Sequence, residues 1–433
     1  MAVQVGPAQC LTLVNSATYL RPHCVQVAAI RPGGTRRGAT RPAHVAGEDP
    51  GGTTVAGSRQ IQGVAAIGVL ALALSACGSS DERSSGRGAD TTTAALTELA
   101  GTGTYGRPPA KAPAVAGAKK VWIVSCGQSA IGCQTGAEAA KKAAEAVGWT
   151  AQICDGKLNA GGAFAGCVRQ GIAAKVDAIV TEAIDCVAVK EPLGEAKAAK
   201  ITTINFWGFD CDTGESATGE KLFTESVVPS EKYRTNEAYQ QAIGAARAEW
   251  VKARSGGTAN VIELHFTGTN IGAALHEGFQ RRMKECASCE VETVEVTHQS
   301  FGNTRQIIES ALLKNPQANW VAVPLDSLVL AGAGQAVAGS PRRADVKLIG
   351  GEGLPPNLGL IRQNQGQSAA IGQPIDWYGW ASIDTLIRAF AGEPPAPSGM
   401  GFQVIDSEVS LPGSGPYRAP VDFMSAYRRA WGL

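Results

Sequence analysis

The chain has no excess of charge of either sign: 39 lysines and arginines face 38 aspartates and glutamates in 433 residues. That balance removes the basic stripe a phosphate backbone requires and the acidic tail a basic partner would bind, so no nucleic-acid role is expected. Charged residues reach only 18% against 44% apolar, which excludes a charged disordered chain and leaves enough apolar surface for a sizeable core. Aromatic residues are scarce at 6%. No apolar run approaches the roughly 20 residues of a membrane-spanning helix. Enzyme signatures are missing too: there is no GxSxG elbow, no HExxH pair, no phosphate-cradling P-loop and no acid pair at a telling spacing. A non-enzymatic chain without cofactor or metal is expected, with two or three domains by length.

What is present divides unevenly. Residues 1–76 hold Arg21, Arg31, Arg36, Arg37, Arg41 and Arg59, no lysine, and only Glu48 and Asp49 as acids. The remainder carries 33 basic and 36 acidic side chains, so two unlike pieces are joined. Residues 1–54 are rich in Arg, Gly, Pro and Thr without periodicity and read as disordered. After Arg59 comes Ile61–Leu74, an apolar run of about 14 residues, followed by small residues. A positive residue, a short apolar stretch and small residues make 55–76 a secretory signal. Leu74-Ser75-Ala76-Cys77-Gly78 resembles the lipobox of bacterial lipoproteins, in which the cysteine is lipidated and becomes the mature N-terminus. Acyl chains at about 0.8 kcal/mol per buried CH₂ hold a soluble domain at a membrane. A signal starts near its positive residue, so residues 1–54 are expected to be an extended gene start, with Val55 as a candidate for the true one. Residues 77–118, rich in Ser, Gly, Thr, Ala and Pro, are expected as a flexible tether. Their formal GxGxxG, Gly101–Gly106, has no strand before it and no helix after it, and is set aside as a dinucleotide site.

Eleven cysteines are many for a reducing compartment. Without Cys10 and Cys24 in the doubtful segment and Cys77 at the lipid position, eight remain: Cys126, Cys133, Cys154, Cys167, Cys186, Cys211, Cys286 and Cys289. An even number in an exported chain implies disulfides. Eight cysteines allow 105 connectivities, and pairing of neighbours is the simplest. Each such bridge would stabilise by roughly 2–4 kcal/mol. Cys286-Ala-Ser-Cys289 follows a helical pattern, lacks a second CxxC or paired histidines, and reads as a structural bridge rather than a redox or zinc motif.

From Lys119 onward, short β-branched apolar runs alternate with Ala-rich segments of helical period. Strands are expected at 121–125, 151–154, 176–183 and 201–206, with helices between them, then a polar Gly-rich break at 210–220 and a strand at 222–228. A long helix over 231–254 opens a second series, with strands at 261–266, 291–296, 320–324, 346–350 and 369–373 and a last helix over 377–390. Alternation of this kind means parallel sheets with helices on both faces, here two doubly wound α/β halves. Ligands bind outside the carboxyl ends of such strands, so two facing halves form a cleft.

The ordered pieces Val176-Asp-Ala-Ile-Val180, Thr267-Gly-Thr-Asn-Ile with Glu277-Gly278-Phe279, Leu348-Ile-Gly-Gly-Glu352-Gly353, and Ala369-Ala-Ile-Gly-Gln373-Pro374 with Ala391-Gly392-Glu393 resemble the type I periplasmic binding proteins, in particular the sugar-binding branch. Members are lipid-anchored or periplasmic solute receptors of ABC importers. The resemblance implies two Rossmann-like domains, 119–228 plus 374–403 and 229–373 plus 404–433, joined by a three-segment hinge with crossings near Val228–Ser230, Gln373–Pro374 and Phe402–Val404. It also implies a ligand in the interdomain cleft and closure by hinge motion. Relatives that act as repressors carry a DNA-binding helix-turn-helix where this chain has an export signal.

The family stacks aromatics on a sugar and aims carboxylates, amides and an arginine at its hydroxyls. Carried over position by position, the resemblance implies Gln128, Asn205, Phe206, Trp207, His276, Phe301, Glu352 and Gln373 as ligand-binding residues. Trp207 stands where the family has an acid, and Leu275-His276 stand near its missing arginine. Asp185 and Asp326 read as helix N-caps, and His265 and His276 as isolated. A pentose or hexose is the expected ligand. The lost arginine and gained tryptophan leave room for an apolar-faced ligand or, between Glu352 and Trp207, a cation. The expected partners are a small-molecule ligand, an ABC permease and, through the lipid, a bacterial membrane; the chain is expected to be monomeric. An extracellular sensor of the same fold is the alternative, with a secreted enzyme behind it.

Overall fold

The computed structural model describes residues 96–101 and 103–433. The expectations for residues 1–54, for a signal at 55–76, for lipidation at Cys77 and for the first part of the tether lie outside these described residues. No helix of the described residues is long and apolar enough to cross a membrane.

The first lobe is built on a five-stranded, wholly parallel sheet: β1 Lys120–Ser125, β2 Thr150–Asp155, β3 Ala178–Glu182, β4 Thr202–Phe206 and β5 Glu225–Ser226, in the order β2-β1-β3-β4-β5. Strand β3 is buried along its whole length, as a central parallel strand must be. Helices α1 Ile131–Ala146, α2 Ala163–Ala173 and α3 Lys190–Ala198 connect them. Edge strand β5 is shorter than the expected 222–228. Asp210 Oδ1 accepts the backbone N–H groups of Leu222 (2.9 Å) and Phe223 (3.3 Å), which holds the strand's first residues in a loop instead.

The second lobe follows α4 Asn236–Ser255, whose cap Thr235 accepts from Ala238 N at 3.2 Å. It contains β6 Thr258–Phe266, α5 Asn270–Met283, β7 Ser288–Val296, α6 Thr304–Lys314, β8 Trp320–Ala322, α7 Gly334–Gly339, β9 Lys347–Ile349, α8 Pro355–Arg362 and β10 Ala369–Gly372. After α9 Ile375–Ala391 the chain returns with β11 Gln403–Asp406. The sheet order is β11-β10-β9-β8-β6-β7, parallel except for the antiparallel β10/β11 pair. Two doubly wound, mostly parallel sheets are therefore present, as the alternation of strands and helices implied. The chain crosses between them three times, after β5, after β10 and before β11. The first and third crossings lie side by side: Ser398 N donates to Val228 O (2.9 Å) and Met400 N to Pro229 O (2.8 Å).

Two expectations are corrected. The tether is not free over 103–118. Thr104 N donates to Phe402 O (3.1 Å), Gly106 N to Gly399 O (2.9 Å), and the Tyr105 hydroxyl lies 2.7 Å from that of Tyr417. Tyr105 also stacks on Trp377 at 6.0 Å, so its aromatic area is covered by the hinge region rather than by water. Residues 404–433 are expected in the second lobe, and the part after β11 departs from this. Helix α10 Phe423–Ala430 packs instead on α9: Phe423 stacks on Trp377 at 4.8 Å and Trp431 on Trp380 at 5.3 Å, and α9 itself packs on α1 of the first lobe.

All four neighbour pairings are formed: Cys126–Cys133, Cys154–Cys167, Cys186–Cys211 and Cys286–Cys289. The CxxC lies between the end of α5 and the second residue of β7, a structural position.

Candidate functional site

Between the carboxyl ends of the two sheets lies a cavity of about 90 Å³. From the first lobe it is walled by Cys126 after β1, Leu158 after β2, Ala183 and Asp185 after β3, Trp207 after β4, and Ala130, Gly132 and Cys133 at the start of α1. From the second come Phe266 at the end of β6 and Thr269 after it, Ile271 in α5, His298 and Phe301 after β7, Leu325 and Ser327 after β8, and Glu352 after β9. A parallel sheet leaves its strand-end backbone groups and loops open on this side, so the topology itself converges these residues.

Four of the lining residues have left-handed backbone conformations: Leu158 and Ala183 at φ 50, Trp207 at φ 65 and Glu352 at φ 84. A side chain with a Cβ pays roughly 1–2 kcal/mol to sit there. Strain of that kind clusters at ligand clamps. Trp207 is 6% exposed; its ring lies 5.1 Å from that of Tyr378 in α9, and its Nε1 has no hydrogen-bond partner. Asn236 Nδ2 donates to its carbonyl at 2.9 Å from the first turn of α4, fixing the loop. Glu352 is 5% exposed and its Oε2 accepts from Asp326 N at 2.9 Å. Its Oε1 lies 3.0 Å from where a Cβ on Gly132 would stand, so the glycine in α1 leaves room for a carboxylate from the opposite lobe. Burial, and then the Asp326 carboxyl beside it, push the Glu352 carboxyl up to about 8.

Of the expected ligand residues, Trp207, Phe301 and Glu352 meet in this cavity. The others do not line it. Gln128 turns away, donating from Nε2 to Ser125 Oγ at 2.8 Å. Asn205 is fully buried and accepts from Thr181 Oγ1 at 3.1 Å; its Nδ2 is unpartnered, and it lines a second, more polar recess on the far side of Trp207. Phe206 packs into the helix layer, stacking on Tyr378 at 6.3 Å. Gln373 sits at the second crossing, its backbone N donating to Glu352 O at 2.9 Å and its buried Oε1 unpartnered. His276 is a correction. It lies one helical turn before Gln280 on the face of α5 turned to β6, and both reach Glu263, at 3.0 and 2.6 Å. Nor is it isolated, because His265 stacks on it at 4.1 Å.

Other lining residues escaped the sequence reading. Asp185 and Asp326 are not side-chain caps. Asp185 Oδ1 accepts from Phe209 N (3.1 Å) and Oδ2 from Asn270 N (2.9 Å), linking β3 of one lobe to the start of α5 in the other. Burial raises its pKa. Asp326 lies behind the wall, wholly buried, accepting from Leu354 N and Gln367 Nε2; burial pushes it up to about 7. His298 packs edge-on to Phe266 at 4.9 Å, and burial lowers its pKa, favouring the neutral ring. Among the described residues the one cluster of metal-ligating types is Cys186, Asp210 and Cys211, whose sulfurs are consumed by a disulfide.

Residues 122–394, more than half the chain, match the family model described as periplasmic binding protein domain. No curated protein matches. Several solved structures share the fold. An ABC transporter solute-binding protein from Agrobacterium vitis bound with α-D-tagatopyranose superposes at TM-score 0.58 and 17% identity, covering 67% of this chain and 95% of its own. A periplasmic solute-binding protein from Actinobacillus succinogenes with bound D-allose gives 0.56 at 20% identity, covering 67% and 98%. A glucose-galactose binding protein from Geobacillus stearothermophilus gives 0.57 at 15% identity, covering 68% and 99%. At these identities the likeness carries the fold.

Proposed function

Because the chain belongs to the periplasmic binding protein family, we propose that it is an extracytoplasmic solute-binding lipoprotein that captures a small polar solute by cleft closure and delivers it to an ABC importer. One observation supports this most: the cavity is walled by strand ends of both lobes, with three chain crossings behind it. Such a site is covered when the lobes approach and uncovered when they part. The solved relatives hold sugars, so a sugar or sugar-like solute is the proposed class. Trp207, Phe301 and Glu352 are the proposed contacts. The lipobox at Cys77 is the basis for proposing a membrane anchor, with the permease as partner and the chain as a monomer.

Titration calorimetry of the full chain against a panel of pentoses and hexoses tests the reading. Saturable binding at one site per chain is expected. Binding of none of them, together with no small molecule retained through purification, would retire it. A mature mass beginning at a diacylated Cys77 is expected; an N-terminus ahead of Cys77 would remove the anchor.

A further inference from the structure

Four carboxyl groups converge on the site, and none has a cationic partner. Asp185 and Glu352 line the cavity; Asp326 backs Glu352; Glu182, at the end of β3, is fully buried with neither carboxylate oxygen hydrogen-bonded. None of the four takes part in an ion pair among the described residues, although such pairs occur elsewhere in both lobes. Neither lysine nor arginine is among the residues that wall the cavity, and its histidine is held toward neutrality by burial. Buried carboxylates are ordinarily paired, or protonate, because an uncompensated charge in a low-dielectric interior costs several kcal/mol. The rings of Trp207, Phe266 and Phe301 share the wall with these carboxyl groups. Aromatic faces with carboxylates opposite attract an ammonium group and offer little to a carboxylate or phosphate. The rest of the wall is mostly apolar, with Leu158, Ile271 and Leu325, and its neutral hydroxyl side chains are Thr269 and Ser327 alone, so a solute with many hydroxyls would find few partners. One donor is left over: Trp207 Nε1, buried and unpartnered, which suits a single ligand oxygen.

We propose that the solute is a small organic cation, an ammonium bearing a hydroxyl, held between the aromatic faces of Trp207, Phe266 and Phe301 and the carboxylates of Asp185 and Glu352. The inference rests on the cleft being the solute site and narrows its ligand class. An amine-bearing sugar and a hydroxyalkyl ammonium share this chemistry, and they are separated by experiment.

The test is titration calorimetry of the full chain with two charge pairs of matched shape: glucosamine against glucose, and choline against 3,3-dimethylbutan-1-ol. In at least one pair the cation should bind tenfold or more tightly than its neutral partner, and the pair that responds identifies the source. Glu352→Gln, which keeps the side chain's shape, should reduce that preference to threefold or less. Thermal melting confirms that the variant is folded. Affinity for choline, whose charge does not titrate, should also rise with pH and level off above about 8, because binding favours the ionised form of Glu352, whose carboxyl shares the site with Asp326, Glu182 and Asp185 and with neutral His298. Equal or tighter binding of the neutral member in both pairs, or no binding of either cation, overturns the inference. If glucose binds as well as glucosamine and the alcohol as well as choline, the solute-binding reading stands and only the charge assignment falls.

Discussion

Glu352 is buried in the cavity wall, and none of the ion pairs among the described residues includes it. Its carboxyl is raised by burial and by Asp326, and both carboxyls bind protons more tightly folded than unfolded. Groups raised in this way contribute stability at pH below their unfolded values, near 4, and that stability is lost as the pH rises through about 7 to 8. The ligand-free protein should therefore melt at a higher temperature at pH 5 than at pH 8.5. Glu352→Gln should flatten part of this slope and raise the stability at pH 8.5 by about 1–4 kcal/mol, read from melting. A slope unchanged by the substitution would show Glu352 to be ionised at neutral pH. Trp207 both lines the cavity and packs on Tyr378, so Trp207→Ala should cost about 1–3 kcal/mol of solute binding and also lower stability, by up to about 3–5 kcal/mol. Trp207→Phe should restore most of the stability; ligand titration and melting of both variants check this. Trp207, Phe301 and Glu352 were legible because each follows a β-rich run at the end where ligands sit. Asp185 was not, because the backbone N–H it accepts from in the other lobe is 85 residues away in sequence. His276 was misplaced because a positional analogy takes no account of which face of α5 meets Glu263.

At the scale of elements, the disulfide between Cys126 and Cys133 ties the loop from β1 to α1 and puts both cysteines into the cavity wall. Alkylation of the unfolded, unreduced protein should find no free thiol among the eight cysteines from Cys126 to Cys289; eight labelled thiols would refute the framework. Replacing Cys126 and Cys133 together by serine should cost roughly 2–4 kcal/mol of stability and weaken solute binding, whereas the same change at Cys286 and Cys289 should leave binding intact. Differential scanning calorimetry and ligand titration separate the two effects. The long alternating elements could be read from composition, since β-branched runs and Ala-rich segments have different periods. Between β8 and α7 the helical stretch Val329–Ala333 is a π turn, where Gly332 stands at φ 141 with Arg305 packed against it, a tertiary contact that no local pattern carries. Strand β11 is only four residues long and was read as a crossing rather than a strand; α10 is eight residues that count as helix mainly through their aromatic packing on α9.

For the whole molecule the account requires two lobes that part and close about the crossings. Contacts already span the cleft: Asp185 to Asn270 N, Ser216 N to Asn270 Oδ1 at 3.2 Å, and Glu352 against Gly132. Asp185→Ala removes one of them and should increase the radius of gyration of the ligand-free protein measured by small-angle scattering; an unchanged radius would mean that this contact does not hold the lobes together. The central claim, that the cavity between the sheet ends is where a small solute is held, is tested most directly by native mass spectrometry of the protein purified from its host, compared with a Trp207→Ala, Glu352→Gln double variant. The account predicts one small-molecule adduct per chain on the unmodified protein and none on the variant at an unchanged charge-state distribution. An adduct retained by the variant at the same occupancy would place the solute elsewhere and contradict it.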